Sequence, residues 1–326
     1  MKANILHSRR NFLGTTALAT AGVALAPQAI LSAAKPNSKF GGVQIGVITY
    51  SWRNMTTKAD EIIDLCVKGG ISSIELMGNV VEEWAGIPAA PPRIKKGTKL
   101  SQQQRKARQL AAKEAAAAQK AWRLSFDTNN YKQLRKKFDR AGVNIHIVKF
   151  NPGKWSDEEM DYAFKSAKAL GAKGVCNEIG EDACKRMGKA AEKHNMYAIF
   201  HNHLQPGEPG FSFEKFLAYS PNNMLNLDIG HYYGATGKNP AKIVEKLHDR
   251  IFSIHLKDKT GKNDTPANTN MPWGEGTTPI GDVLNLIKDN KWPIYCDIEL
   301  EYPVPSSSNP QNEIVKCVKY CKRLLA

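Results

Sequence analysis

Two short stretches decide the fold prediction: "MLNLDIGHYY" at residues 224–233 and "IFSIHLKD" at residues 251–258. Each begins with an apolar run and ends in ionisable groups, namely Asp228 and His231 in the first and His255 and Lys257 in the second. A short apolar run bounded by turn residues is typical of a buried strand. A helical pattern near residues 240–249 separates the two stretches, which predicts parallel strands joined by a crossover helix.

The same alternation of strand and helix extends over the rest of the chain. Six more strands are predicted at residues 43–50, 71–76, 143–150, 173–178, 196–203 and 294–301. Helical segments lie near residues 57–69, 128–141, 157–170, 181–195, 212–219, 279–290 and 311–325. Eight such units predict an α/β fold, a single-domain (β/α)8 TIM barrel over residues 35–326. An open doubly wound sheet fits less well, because no GxGxxG or GxxxxGK[ST] turn follows an early strand.

A basic insertion follows the second predicted strand, at about residues 79–127. Much of the formal charge of +15 falls between residues 88 and 123, where Glu114 is the single acid. The Ala-, Gln- and Lys-rich stretch from Ser101 to Trp122 predicts a solvated helix after a Pro-rich loop. A lid or docking surface for an anionic substrate or envelope polymer is the alternative. The basic residues are Arg93, Lys95, Lys96, Lys99, Arg105, Lys106, Arg108, Lys113, Lys120 and Arg123.

The first 34 residues have the features of an export signal. The spelling "SRRNFL" at residues 8–13 precedes an apolar run, and small residues lie at Ala33 and Ala34. This pattern predicts a twin-arginine signal peptide at residues 1–34 and a periplasmic or cell-envelope location, with no stable membrane span after the signal is removed. An uncleaved membrane anchor or a chance Arg pair is the alternative. The six cysteines show no CxxC spacing, and we expect buried, reduced thiols.

Ionisable residues gather at the carboxyl ends of the predicted strands. The carboxyl ends of the strands in a parallel barrel all emerge on one face, and leaving so many charges buried and unpaired would be costly. A divalent cation removes that cost, and three carboxylates with one imidazole suit Mn²⁺, Mg²⁺, Co²⁺ or Zn²⁺. We predict one metal ion, Mn²⁺ first, bound by Glu178, Asp228, His255 and Glu299. The full set of strand-end residues is Glu75, Lys149, Glu178, His201, His203, Asp228, His231, His255, Lys257, Glu299 and Glu301.

Four motifs, in this order and spacing, carry a family resemblance: "NLDIGHYY" (226–233), "IHLKDK" (254–259), "WGEGTTPIG" (273–281) and "IELEY" (298–302). Residues 43–325 resemble the xylose-isomerase-like barrels, which include sugar isomerases, tagatose-type epimerases, inosose dehydratases and isomerases, and endonuclease IV. The resemblance implies the same four metal ligands, with His231 contacting substrate oxygens. The match at "VCNEIG" (175–180) is weaker.

The resemblance also implies a chemistry. We predict an isomerase or epimerase that acts through an enediolate on a free sugar or keto-sugar. Glu178 and Glu299 would form the acid/base pair, as in the epimerase branch, while His231 and Lys257 stabilise charge that develops on oxygen.

Further residues are predicted to contact substrate. His201 and His203 share one strand face, and a substrate hydrogen bond or a structural contact is favoured over metal ligation for both. Glu75 is a further substrate-binding candidate, and Glu301 could replace Glu299 as the ligand. Tryptophans in or near the strand-end loops could stack on a sugar ring, chiefly Trp52 and Trp273, with Trp84 and Trp155 as further candidates.

Other functions remain open at this point. A lyase or hydrolase of 3-keto-glycosides and an inosose-type dehydratase would use the same metal site and the same first step. A sugar-binding barrel without catalysis would lack the proton-transfer carboxylates. Endonuclease IV chemistry is disfavoured, because residues 256–270 carry no Asp-x-His pair. The expected partner is a small carbohydrate and not nucleic acid, and a homo-oligomer is an option.

Overall fold

The computed structural model describes residues 35–92, 94 and 97–326. The predicted signal peptide lies outside the described residues, as do Arg93, Lys95 and Lys96 of the basic insertion. Lys35–Ala326 forms one compact unit. Among the described residues, no helix combines the length and the apolar character needed to cross a membrane.

Eight parallel strands close into a barrel, as predicted. Each strand pairs with the next in sequence order, and Val47 on the first barrel strand pairs with Ile298 on the last, which completes the ring. A short strand, β1 (Lys39–Phe40), pairs antiparallel with the first barrel strand. The barrel strands are β2 (Val43–Ile48), β3 (Ser73–Met77), β4 (Asn144–Lys149), β5 (Gly174–Glu178), β6 (Tyr197–His201), β7 (Asn223–Asp228), β8 (Ile251–Leu256) and β9 (Tyr295–Ile298).

Helices surround the barrel, and several of them begin or end at recognisable caps. Ser156 and Glu159 form a capping box at the start of one helix, and Gly70 ends another with a left-handed φ of 69°. The helices are α1 (Ala59–Gly69), α2 (Gly78–Trp84), α3 (Gln102–Ser125), α4 (Tyr131–Ala141), α5 (Asp157–Ala169), α6 (Glu181–His194), α7 (Phe213–Leu217), α8 (Ile229–Thr236), α9 (Ala241–Leu247), α10 (Ile280–Asn290) and α11 (Pro310–Leu324).

Helices α2 and α8 were not predicted from the sequence. Both begin at the residue directly after a strand. No turn segment therefore separates the strand from the helix in the sequence, and the change from strand to helix periodicity is hard to see. In α8 the N-cap is Asp228, which accepts a hydrogen bond from the backbone N–H of His231. A residue singled out for metal binding therefore also begins a helix.

The main hydrophobic core lies between the strands and the helix layer, and a small apolar cluster fills part of the barrel interior. That interior cluster consists of Ile147, Cys176 and Ile199. A buried polar group, Ser73, His146 and Asp297, also lies on the strands: His146 Nε2 is 2.8 Å from Asp297 Oδ2, and His146 Nδ1 is 2.9 Å from Ser73 Oγ. These side chains hydrogen-bond one another inside the protein, as buried polar groups require.

The basic insertion contains α2 and the long helix α3, which has no fully buried residue. This agrees with the predicted solvated helix. Its last turn is attached through Arg123, which donates to Glu82 at 2.6 Å and to Glu159 at 3.1 Å. The Arg123 guanidinium also lies 4.0 Å from the centre of the Trp155 ring. One end of the helix is thus held against α2 and α5.

Candidate metal centre

Four buried side chains converge at the carboxyl ends of β6 to β9. His201 ends β6, Asp228 ends β7, His255 lies on β8, and Glu299 follows β9. One potential ligand atom from each lies within 4.8 Å of the others. Three of the four predicted metal ligands therefore lie together, and His201 joins them.

The start of α8 orients the Asp228 carboxylate. Asp228 Oδ1 accepts from the His231 backbone N–H at 2.7 Å, while Asp228 N–H donates to Asn202 Oδ1 at 2.9 Å. With one oxygen occupied by the cap, the other oxygen, Oδ2, faces the Lys257 ammonium at 2.9 Å. The helix cap leaves a single carboxylate oxygen for the site.

His255 is held between two carboxylates. Its Nδ1 lies 3.0 Å from Glu299 Oε2, and its Nε2 lies 2.7 Å from Glu75 Oε2. Asn226 Nδ2 also donates to that Glu75 oxygen, at 2.7 Å. Burial disfavours the charged imidazolium, yet Glu75 and Glu299 outweigh it and raise the pKa of His255 well above its usual value. A carboxylate on the far nitrogen of a metal-binding histidine fixes the ring orientation.

The Lys257 ammonium lies among three carboxylates. Its Nζ is 2.9 Å from Asp228 Oδ2, 2.7 Å from Glu299 Oε2 and 2.6 Å from Glu301 Oε2. It also donates to His231 Nε2 at 3.0 Å. Burial raises the pKa of the Glu299 carboxyl, but the Lys257 ammonium and His255 outweigh burial and hold that pKa well below its usual range.

His201 is a buried imidazole that stays neutral. Burial, followed by the positive charges of Lys149 and His255, lowers its pKa well below 6.5. Its Nδ1 has no hydrogen-bond partner among the described residues, which is unusual for a buried polar atom. A neutral imidazole with a free nitrogen is the form that binds a metal.

Glu178 lies beside this group rather than within it. Its carboxylate is 2.9 Å from Lys149 Nζ and 2.9 Å from His203 Nε2. Burial raises the pKa of the Glu178 carboxyl, but His203 and Lys149 outweigh burial and hold that pKa at about 2. The hydrogen bond to Glu178 in turn raises the pKa of His203. Glu178, His201 and His203 form a second potential ligand group, and metal binding by Glu178 stays a prediction.

The first group fits a divalent cation. Two carboxylates and two imidazoles are the donors that Mn²⁺, Zn²⁺ and Co²⁺ accept, and His201 Nε2 lies 4.0 Å from Asp228 Oδ2. The residues that would hold the ion are His201, Asp228, His255 and Glu299. The identity of the metal is a prediction from donor chemistry.

Two of the predicted substrate-binding residues lie deeper than expected. Trp52 is fully buried and its indole N–H donates to Gln311 Oε1 at 2.8 Å, so it has no exposed ring face on which a sugar could stack. Glu75 is also fully buried, and its Oε2 lies 2.7 Å from His255 Nε2, so substrate binding by Glu75 stays a prediction. The position of a residue at a strand end predicts which end of the barrel it occupies, but not how deeply its side chain is buried.

The other predicted contact residues lie nearer the surface. Trp273 is half-buried and packs edge-on against Tyr320, with ring centres 5.8 Å apart. The Glu301 and His203 side chains are 20% and 48% exposed, so the mouth of the site opens beside them. Roles in substrate binding for Trp273, Glu301 and His203 stay predictions.

Lys149 and Lys259 were not assigned a site role from the sequence. Lys149 ends β4 and forms the ion pair with Glu178, and its strand-end position was the available signal. Lys259 is buried at the end of the "IHLKDK" motif, and in the described part of the chain it forms no ion pair. Burial and the nearby Lys257 charge lower the pKa of Lys259.

A large cavity lies at the opposite end of the barrel, and none of these residues lines it. It has a volume of about 810 Å³, and Tyr197, Phe252, Trp292 and Tyr295 are among its lining residues, near the amino ends of the strands. Catalytic groups of TIM barrels collect at the carboxyl ends instead. The charged cluster is therefore the candidate functional site.

The sequence model of one family, described as the xylose isomerase-like TIM barrel, matches residues 105–324. The chain belongs to this family. An inosose dehydratase from Clostridium beijerinckii is 26% identical over 226 residues, covering 62% of this chain and 74% of the relative. The matched segments span about half the length of several other inosose dehydratases.

Solved structures show the same fold at low sequence identity. A sugar phosphate isomerase/epimerase from Parabacteroides distasonis is 16% identical with a TM-score of 0.55, covering 87% of this chain and 96% of that one. A probable 3-DHS dehydratase from Bacillus anthracis is 13% identical with a TM-score of 0.57, covering 83% and 97%. The relatives with assigned activities are enzymes.

Proposed function

We propose that this chain is a metal-dependent dehydratase or related lyase of a polyhydroxy ketone. It would remove a proton beside the ketone and eliminate an oxygen substituent one carbon further on. The observation that carries the proposal is the buried group of His201, Asp228, His255 and Glu299, with Glu178 and His203 paired at its open side. The similarity to inosose dehydratases favours elimination over the predicted isomerisation.

The buried group would hold the ion and the substrate oxygens. A divalent cation bound there would supply Lewis-acid polarisation of those oxygens. Lys257 faces the carboxylates of this group and can donate a hydrogen bond to an oxygen atom that gains negative charge, whereas His231 accepts from Lys257 through Nε2 and would donate only from Nδ1.

Glu178 and His203 are suited to move protons. Glu178 is ionised at neutral pH and 41% exposed, so it can accept the proton from carbon. His203, whose pKa is raised, can donate its proton to the departing oxygen, which leaves as water or an alcohol. The 2.9 Å contact between them then lets Glu178 return a proton to His203. The environments of this acid and base separate their pKa values, as paired catalytic groups require.

Isomerisation or epimerisation is the second candidate. It begins with the same proton removal and ends with return of the proton to carbon. The second ionised carboxylate, Glu299, supports this reading, since an epimerase needs a proton carrier on each face of the substrate. A 3-keto-glycoside lyase differs from the dehydratase only in the leaving group.

The test is incubation of the purified protein with Mn²⁺ in heavy water, followed by NMR. Substrates are a keto-inositol, free ketoses and 3-keto-glycosides. An unsaturated ketone with loss of water supports the dehydratase, and a released aglycone supports the glycoside lyase. Deuterium uptake without elimination supports the isomerase, whereas no exchange with any substrate contradicts all three.

A matched pair of variants tests the proton acceptor. Glu178→Gln should abolish exchange at carbon. Glu181→Gln, at the start of α6, removes a carboxylate that contacts Lys185 and Lys215 outside the site, and should leave exchange unchanged. Equal activity in both variants would remove Glu178 from the mechanism.

We also propose export by the twin-arginine route. The support is the "SRRNFL" spelling before an apolar run. Residues 1–34 fused to a folded reporter should direct it to the periplasm, and replacing Arg9 and Arg10 by Lys should retain it in the cytoplasm. A reporter exported equally well by both fusions would contradict this route.

A further inference from the structure

The three ion pairs of Lys257 involve the carboxylates of the candidate metal centre. Asp228 Oδ2 and Glu299 Oε2, at 2.9 and 2.7 Å from the ammonium, belong to the buried ligand group. Glu301 Oε2, at 2.6 Å, does not belong to that group. The ammonium thus binds two proposed ligands and one carboxylate outside them.

One ammonium and one divalent cation would repel each other strongly at such distances. Two like charges a few Å apart in a buried site interact far more strongly than in water. The Lys257 side chain is also only 2% exposed, so bulk water does not screen its charge. Asp228 Oδ2 and Glu299 Oε2 already contact the ammonium, so a divalent cation bound by the same oxygens would have to share them with Lys257.

We propose that Lys257 competes with the divalent cation for Asp228 and Glu299, and that Glu301 holds the ammonium when the cation is bound. This inference rests on the metal site of the proposed function. Lys257 then sets the metal affinity of the site, and Glu301 acts as a positioning residue through Lys257 rather than as a ligand.

The position of Glu301 suits this role. Its side chain is 20% exposed, and His231 Nε2 lies 3.5 Å from the same oxygen that contacts Lys257. An ammonium drawn toward Glu301 would keep its hydrogen bond to His231, which is 3.0 Å away. Lys257 can therefore leave Asp228 and Glu299 without losing every partner.

Lys259 supplies a matched control. It lies two residues further along the chain, is also buried, and carries the same side chain. It forms no ion pair with Asp228 or Glu299 in the described structure, although its charge interacts electrostatically with both carboxylates. Removing Lys259 takes away one positive charge near the site without taking away a direct competitor.

The test measures Mn²⁺ affinity by calorimetry on the full chain, with circular dichroism to check folding. Lys257→Met should bind Mn²⁺ at least about tenfold more tightly than the unaltered protein, equivalent to roughly 1.4 kcal/mol. Lys259→Met should give a much smaller gain. If Lys257→Met fails to fold, Lys257→Gln, which keeps a polar side chain of similar length, is measured instead.

A double-mutant cycle tests Glu301. Glu301→Gln should weaken Mn²⁺ binding in the unaltered protein but have no effect when combined with Lys257→Met, because Glu301 acts through the ammonium. Equal weakening in both backgrounds would make Glu301 a ligand and overturn its positioning role. Unchanged or weaker binding by Lys257→Met would overturn the competition while leaving the metal site intact. Binding by none of the proteins would overturn both the inference and the proposed metal site.

Discussion

At the residue scale, the site combines groups whose charges are set by different neighbours. His201 is kept neutral by burial and by nearby positive charge, whereas His255 is held between Glu75 and Glu299 and has a raised pKa. His203, nearer the surface, has its pKa raised by Glu178. Three histidines within one barrel mouth thus differ in charge because their contacts differ.

The first prediction compares His201 with Glu178 as a ligand. His201→Gln should lower Mn²⁺ affinity by more than about tenfold, since loss of even a supporting hydrogen bond costs that much at metal sites. Glu178→Gln should lower it less, because Glu178 is bound to Lys149 and His203. Metal content after dialysis, measured by mass spectrometry, checks the order. The reverse order would restore Glu178 to the ligand set.

The second prediction concerns the protonation of His203. Because its folded pKa is raised, the ring should remain protonated above pH 6.5 and lose its proton as the pH rises further. The associated stabilisation is fully present below pH 6.5 and disappears as the pH rises through the folded value. An NMR titration of the ring, without added metal, checks this. Glu178→Gln should lower the midpoint, and an unchanged midpoint would remove Glu178 as the cause.

Depth within the barrel explains which site residues could be predicted. Asp228, His255 and Glu299 were predicted because parallel strands end on one face. Glu178 and His201 are register partners on β5 and β6, so strand order cannot say which one reaches the centre. Lys149 and His203 bind Glu178, and these contacts arise only in the folded protein.

At the element scale, α3 is attached mainly through its last turn. The Arg123 side chain is 10% exposed, and its partners Glu82 and Glu159 are 8% exposed. Because these charges are buried, removing one partner leaves an unpaired charge and lowers stability more than removing one partner of a surface ion pair does. The rest of the helix carries no fully buried residue.

The third prediction therefore concerns Arg123. Arg123→Ala should destabilise the protein by about 2 to 4 kcal/mol, because it leaves two buried carboxylates without their partner. It should also speed hydrogen exchange and proteolysis within residues 102–125. Arg108→Ala, which removes an exposed contact to the Pro92 carbonyl, is the control and should change neither. Equal effects of the two changes would mean that the Arg123 ion pairs do not hold the helix in place.

The order of the elements could be predicted from local signals. Apolar runs, capping residues and left-handed glycines are readable within a few positions, and all eight barrel strands were found this way. Helix α8 was missed because Asp228 is at once the last residue of β7 and the N-cap of the helix. Because one residue both ends the strand and caps the helix, the sequence contains no turn residues between them that would predict the start of the helix.

At the scale of the whole molecule, the cysteines do not crosslink the fold. All six are free and buried, at positions in the strands and helices. Reduced thiols inside the core were predicted from the absence of CxxC spacing. The stability of the barrel therefore comes from packing and not from covalent bonds.

The fourth prediction follows from the buried thiols. A water-soluble thiol reagent should label no cysteine of the native protein and six after unfolding in guanidinium chloride. A reducing agent should leave the melting temperature unchanged. A melting temperature that falls on reduction would show that disulfides stabilise the protein and would contradict the free thiols.

The pairing of β2 with β9 has a consequence for biosynthesis. A ribosome releases β2 before β9, yet these two strands pair to close the ring. His201, Asp228 and His255 all emerge before Glu299, which follows the sealing strand. Until β9 has emerged, the nascent chain therefore has an open sheet edge and lacks Glu299 of the proposed ligand group, so the same step closes the barrel and completes that group.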